Sequence, residues 1–219
     1  MEPYLTSSVL FFWVITYSLI FGLFSVLACL FLEGLSKYFL RLVEVLFIPG
    51  LVLGPLLLIG GHFLFSYDFI FPVAFGRTPA HLFLHLMGPS AVLFVCSGLA
   101  KTLMQNTYSL ALDWKKKPCS AFTKSLGLSP ERDLIPTIFL QGLFKSWSQS
   151  MPWVFGEILI IECVFNVPGI GFNIWTYAKE RQLDNLWQSL AVLLCIYLFA
   201  ISINRLFGVW LGKKLENYI

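Results

Sequence analysis

Leu5 to Leu32 runs for 28 residues without a single charged side chain, and no other feature constrains the chain as tightly. A bilayer crossing takes roughly 20 consecutive apolar residues, so this run is long enough to span one. The remaining sequence follows the same pattern. Of 219 residues, 58% are hydrophobic and only 12% charged, with a mean hydropathy of +0.78. A soluble domain of this length does not bury that much apolar side chain, so the bilayer is the expected solvent. Further spans are expected at about 45–67, 82–100, 145–165 and 186–211. The fold class is therefore all-α: a single polytopic membrane domain over 1–219 with about five transmembrane helices. No basic region precedes the first run, and its length suits a span, so no cleaved signal peptide is expected.

Orientation follows from the basic residues. After the third expected span comes the only long polar region, expected as a cytoplasmic coupling loop over 101–133, which holds nine of the 27 charged residues, including Lys115, Lys116 and Lys117. Putting the breaks at 33–44, 101–145 and 205–219 in the cytoplasm places two, seven and three of the 15 Lys/Arg inside. Only Arg77, Lys179 and Arg181 then lie outside. The opposite orientation inverts that ratio, so the N-terminus is expected outside and the C-terminus inside. The lysine triplet is expected to anchor its loop to anionic headgroups. A net charge of +3 gives no footprint for nucleic acid, and membrane lipids are the expected surroundings. The five cysteines are scattered without a C-x-x-C pair and read as small apolar side chains.

The chemically unusual stretch is Glu157 to Gly171. An apolar helix carrying Glu157 and Glu162 runs into Pro168-Gly169-Ile170-Gly171, which cannot continue it. The glycines are expected to allow positive φ in a sharp turn. A turn beside a buried acid is costly in lipid unless protein or water surrounds it. Glu162 is expected either to hold that turn, capping its backbone amides, or to line the mouth of a pathway. Glu157, one and a half turns deeper, is a pathway candidate or a structural polar contact.

Glu162-x-x-Phe165-x-x-Pro168-Gly169-x-Gly171, with Arg181 ten residues on, resembles the dipeptide/oligopeptide/nickel branch of the ATP-binding-cassette importer permeases. In that family a Glu-x-Val-Phe-x-x-Pro-Gly-x-Gly segment closes one membrane helix and forms an external re-entrant turn, followed by an Arg-Asp type pair. Here Gln182 stands in place of that Asp. Ile48-Pro49-Gly50-Leu51-Val52-Leu53-Gly54 is similar to the family's Ile-Pro-Ser-Phe-x-x-Gly segment. Lys124-Ser125-Leu126-Gly127-Leu128-Ser129 is similar to the end of its cytoplasmic loop motif, with Thr123 and Ser125 replacing alanines. The resemblance covers roughly the last two-thirds of the family pattern, so the chain is expected to be shortened at its N-terminus.

The resemblance implies a permease subunit in a bacterial inner membrane, carrying peptides or a chelated metal such as nickel by alternating access. It implies a second permease subunit, two ATPase subunits that hold ATP and Mg, and an external solute-binding protein. The ATPase-coupling loop would involve Ser120, Lys124, Gly127, Leu128 and Ser129; the external turn would involve Glu162, Phe165, Pro168, Gly169, Gly171 and Arg181. No cofactor is expected on this chain itself. The absence of Gly-x-x-x-x-Gly-Lys-Ser/Thr agrees with ATP being held elsewhere. His81-x-x-x-His85 has metal-chelating spacing but lacks a motif glutamate, so no metal is assigned to it. Two other readings stay open: an intramembrane enzyme using Glu157, Glu162 and the histidine pair, and a degenerate permease acting as an assembly subunit.

Overall fold

The computed structural model describes residues 3–31, 38, 40–42, 44, 52, 56, 83, 86–116 and 130–216, without the side chains of 3, 130–134 and 210–216. The described residues are all helical apart from the turns that join helices. In chain order these are α1 (Pro3–Phe31), α2 (Met87–Cys96), α3 (Leu99–Lys116), α4 (Pro130–Val164), α5 (Ile170–Lys179) and α6 (Leu183–Glu216). The expected second span, 45–67, lies outside the described residues except for 52 and 56.

Two of these helices are long and apolar enough to cross a membrane: α1 over Tyr4–Phe31 and α6 over Leu183–Val209. A third appears if α2 and α3 are taken as one broken span. Gly98 makes that break, at a left-handed φ of 72° that a side chain would disfavour. The chain does not become loop at 101, as its polarity suggested. Helix continues through Lys116 with Leu103, Met104, Asn106, Thr107 and Ala111 buried. On α4, expected to carry the span at 145–165, glutamates and a row of serines and glutamines lower the apolarity, and this helix is not among the candidates.

Packing divides the chain into two compact units: Met1–Tyr17, Ile48–Gly98 and Met151–Ala200 form the first, and Ser18–Phe47, Leu99–Ser150 and Ile201–Ile219 the second. In the first, α1 runs antiparallel to α4. Ser7 meets Glu162, and the Phe11 and Phe155 rings lie 5.7 Å apart. Trp13 Nε1 donates to the Phe83 carbonyl at 2.8 Å, and the Tyr17 hydroxyl to the Met87 carbonyl at 2.9 Å. Both polar ends of these aromatics are thereby satisfied while their rings stay packed.

In the second unit, Val26, Cys29, Leu30, Met104, Ala111 and Ile138 form the buried core. Helices α3 and α4 meet along a polar seam instead of a greasy one. Thr102 and Ser150 share a hydrogen bond of 2.8 Å, and Asn106 Nδ2 donates to Ser146 Oγ and Gln149 Oε1, each at 2.9 Å. Rising numbers on α3 pair with falling numbers on α4, so the two are antiparallel. Small residues let the backbones approach along this seam. Gly142 is the tightest point, since a Cβ there would come within 2.7 Å of Thr107 Cγ2. Gly142→Val is expected to lower stability by about 1–3 kcal/mol through overpacking. Gly142→Ala should be milder, and adding Thr107→Ser, which removes that methyl, should recover most of the loss. Thermal unfolding in detergent measures all three.

Candidate functional site

The site is built where α4 stops and α5 starts, all within the first unit. A helix end leaves four carbonyls unpaired, and a helix start leaves four amides unpaired. The α4 end is closed by a left-handed residue, Asn166, with φ 52°. The Val167 N–H donates to the Glu162 carbonyl at 2.9 Å, and the Asn166 N–H to the Cys163 carbonyl at 3.4 Å. This six-to-one and five-to-two pairing is a common helix terminator, and asparagine is the side-chain-bearing residue best suited to it. Pro168 follows and prevents any continuation.

The α5 start is closed by side chains from elsewhere. Its N-cap, Gly169, offers no side chain. The Ile170 N–H donates to Ser7 Oγ at 2.9 Å, the Gly171 N–H to Glu162 Oε2 at 2.6 Å, and the Phe172 N–H to the same oxygen at 3.4 Å. Ser7 Oγ in turn donates to Glu162 Oε1 at 2.6 Å. Beside it, Thr6 Oγ1 donates to the Pro168 carbonyl at 2.5 Å. One carboxylate, placed on the last turn of α4, thus caps the first turn of α5, where the helix dipole favours negative charge. Glu162 is fully buried, at 0% exposure.

The glycines owe their place to this carboxylate and not to backbone freedom. Neither Gly169 nor Gly171 has positive φ; Gly169 is extended at φ −111° and Gly171 is helical. A Cβ on Gly169 would land on the Glu162 carboxylate, and one on Gly171 would lie 2.7 Å from Leu159 Cα and 3.0 Å from Glu162 Oε2. The expectation of positive φ at these two glycines is therefore corrected: the left-handed residue is Asn166, and the glycines permit close approach. Phe165, Val167 and Ile170 are buried around the turn.

The structure brings Glu162, Phe165, Pro168, Gly169 and Gly171 together and leaves two others apart. Glu157 is half-buried on α4, outside the clasp. Arg181 is exposed and left-handed, at φ 58°, and closes the far end of α5. There the Gln182 N–H donates to the Tyr177 carbonyl at 2.9 Å and the Arg181 N–H to the Ala178 carbonyl at 3.3 Å, repeating the cap of α4. Ser120, Lys124, Gly127, Leu128 and Ser129 lie outside the described residues, as do His81 and His85. Among the described residues no three His, Cys, Asp or Glu side chains gather as a metal site.

Sequence reasoning missed Thr6 and Ser7. Their signal was available, because Thr6-Ser7-Ser8 is the one polar triplet in an otherwise apolar run. Chemically, the clasp holds its carboxylate fully engaged. A neighbouring cavity of about 190 Å3, which Ser7 also lines, contains no charged side chain among the described residues. The arrangement fixes a backbone reversal and presents no open acid or base. No protein-family model matches the chain, and no curated protein sequence matches it significantly.

Replacing Glu162 by leucine should strand the Gly171 and Phe172 amides and the Ser7 hydroxyl. Each buried group left without a partner costs about 1–3 kcal/mol, so this variant should be the least stable of the set. Ser7→Ala should cost about 1–2 kcal/mol, and Glu162→Gln should fall between them. Gly169→Ala should destabilise although its backbone angles suit alanine. Thermal melts of the purified variants test the order; a Gly169→Ala protein as stable as the parent would contradict the close-approach explanation.

Proposed function

We propose that this chain is the permease subunit of an ATP-binding-cassette importer of the peptide and nickel type. The observation that carries the reading is the clasp. Glu162, Pro168, Gly169 and Gly171, spaced as in the family segment, each have a physical task in one buried reversal between helices. Acid and glycines are needed together, because the carboxylate occupies the space a glycine Cβ would take.

In this reading five helices span the bacterial inner membrane, with the N-terminus outside and the C-terminus inside. Helix directions support it. In the first unit α1 runs opposite to α4, and in the second α3 also runs opposite to α4. In the proposed topology α1 and α3 pass inward while α4 passes outward. The α4–α5 reversal then faces outside, with exposed Trp175 and Arg181 available to an external binding protein. Aromatic residues such as Trp175 suit that interfacial level.

ATP and Mg are held by two partner ATPase subunits, and a second permease completes the pathway. The loop containing Ser120, Lys124, Gly127, Leu128 and Ser129 receives the ATPase movement, and the helices pass it on as a two-state change. Cargo is a peptide or a chelated metal such as nickel, delivered from outside. The clasp keeps the outer reversal rigid while the helices move.

Purification in mild detergent should recover an ATPase pair and a second permease with this chain. Gly127→Trp should remove the ATPase from the complex while the chain still inserts. Unchanged ATPase recovery, or labelling of a cysteine at 127 from outside the cell, would overturn the reading.

A further inference from the structure

Within the second unit, residues of α3, α4 and α6 line a cavity of about 630 Å3 that has no part in the clasp or the coupling loop. That volume is in the range of built ligand sites, roughly 300–1,000 Å3. Leu110, Phe144 and Val209 give it an apolar wall, while Lys145 and Arg205 bring two cations to it. No carboxylate lines the cavity among the described residues. Both cationic side chains are exposed.

Within the polar lining, Gln149 has its donor end left over. Gln149 Oε1 already accepts a 2.9 Å hydrogen bond from Asn106 Nδ2, which leaves the amide NH2 of Gln149 as its remaining donor end. Lys145 and Gln149 are four apart on α4 and so share one helical face. Space is kept open by Gly208 on α6, where an added Cβ would meet no atom within 4 Å. Arg205 lies near the end of the apolar stretch Leu183–Val209, where a long cationic side chain reaches headgroup level.

We propose that this cavity binds an anionic phospholipid. The phosphate sits between Lys145 and Arg205, with the Gln149 amide donating to it and the acyl chains against Leu110, Phe144 and Val209. Lys145 and Arg205 both line the cavity, and a phosphate between them is attracted to each. Guanidinium adds a planar, two-point grip on phosphate oxygens. Basic pockets between membrane helices take phosphate headgroups for these reasons. The apolar wall favours lipid over free phosphate, which would gain nothing from it. Nothing in this site depends on the importer reading.

The test uses the full chain purified in a mild non-ionic detergent, with lipid retention read by native mass spectrometry and stability by thermal melting. Phosphatidylglycerol should be retained and should raise the melting temperature. Phosphatidylcholine should be retained about tenfold less, and so should phosphatidylglycerol by the Lys145→Gln/Arg205→Gln double variant. Lys145→Arg should retain it, and Lys179→Gln, on α5, should behave as the parent. The double variant should melt like the parent when no lipid is added, since both side chains are exposed. Equal retention of the two lipids, undiminished retention by the double variant, or the same stabilisation by millimolar inorganic phosphate would each overturn the proposal.

Discussion

The Glu162 carboxylate meets a demand that the rest of the first unit inherits. A reversal between two helices away from water has to pair carbonyls on one side and amides on the other, because each orphan costs free energy comparable to a lost hydrogen bond. The α4 end meets its share with backbone alone, through Asn166 in the left-handed region. The α5 start cannot, since Gly169 has no capping side chain. Glu162 fills the gap from α4, and Ser7 fills it from α1. Three helices are thereby tied at one point by a single carboxyl group and one hydroxyl.

The second unit solves a related problem with different materials. Close packing and hydrogen bonds join its helices. Thr102, Asn106, Ser146 and Ser150 supply the hydrogen bonds between α3 and α4, and Gly142 supplies the approach. The α6 stretch Leu183–Val209 is the opposite case, because none of its apolar window is buried by the rest of the chain. Asn204 and Arg205 sit near one of its ends and line the cavity with α4.

Much of the helical framework was legible because long apolar runs admit little else. The first and last long helices, α1 and α6, follow the expected runs within a few residues. The polar seam was misread for a physical reason. The polar region 101–133 was expected as a cytoplasmic loop, yet its Thr102 and Asn106 are satisfied across a helix pair and are at home in a buried face. The expected loop therefore begins as helix, up to Lys116. At the reversal, Pro168 and the acid marked the place correctly, but the roles of the glycines did not follow from their type. Glycine is required both for left-handed backbone and for close contact, and sequence does not separate the two.

Sequence alone determined that this chain is helical and apolar enough to enter a membrane, and that its helix must break by Pro168-Gly169. Apolar run length and proline's missing donor act locally, so they can be read locally. Only the tertiary structure decided that Ser7 and Glu162, 155 positions apart, share one hydrogen bond, and that Gly169 stays small to leave room for a carboxylate. It also decided that Lys145 and Arg205 face one cavity. Those pairings come from how helices pack side by side, and the identity of a distant neighbour is not encoded in local periodicity.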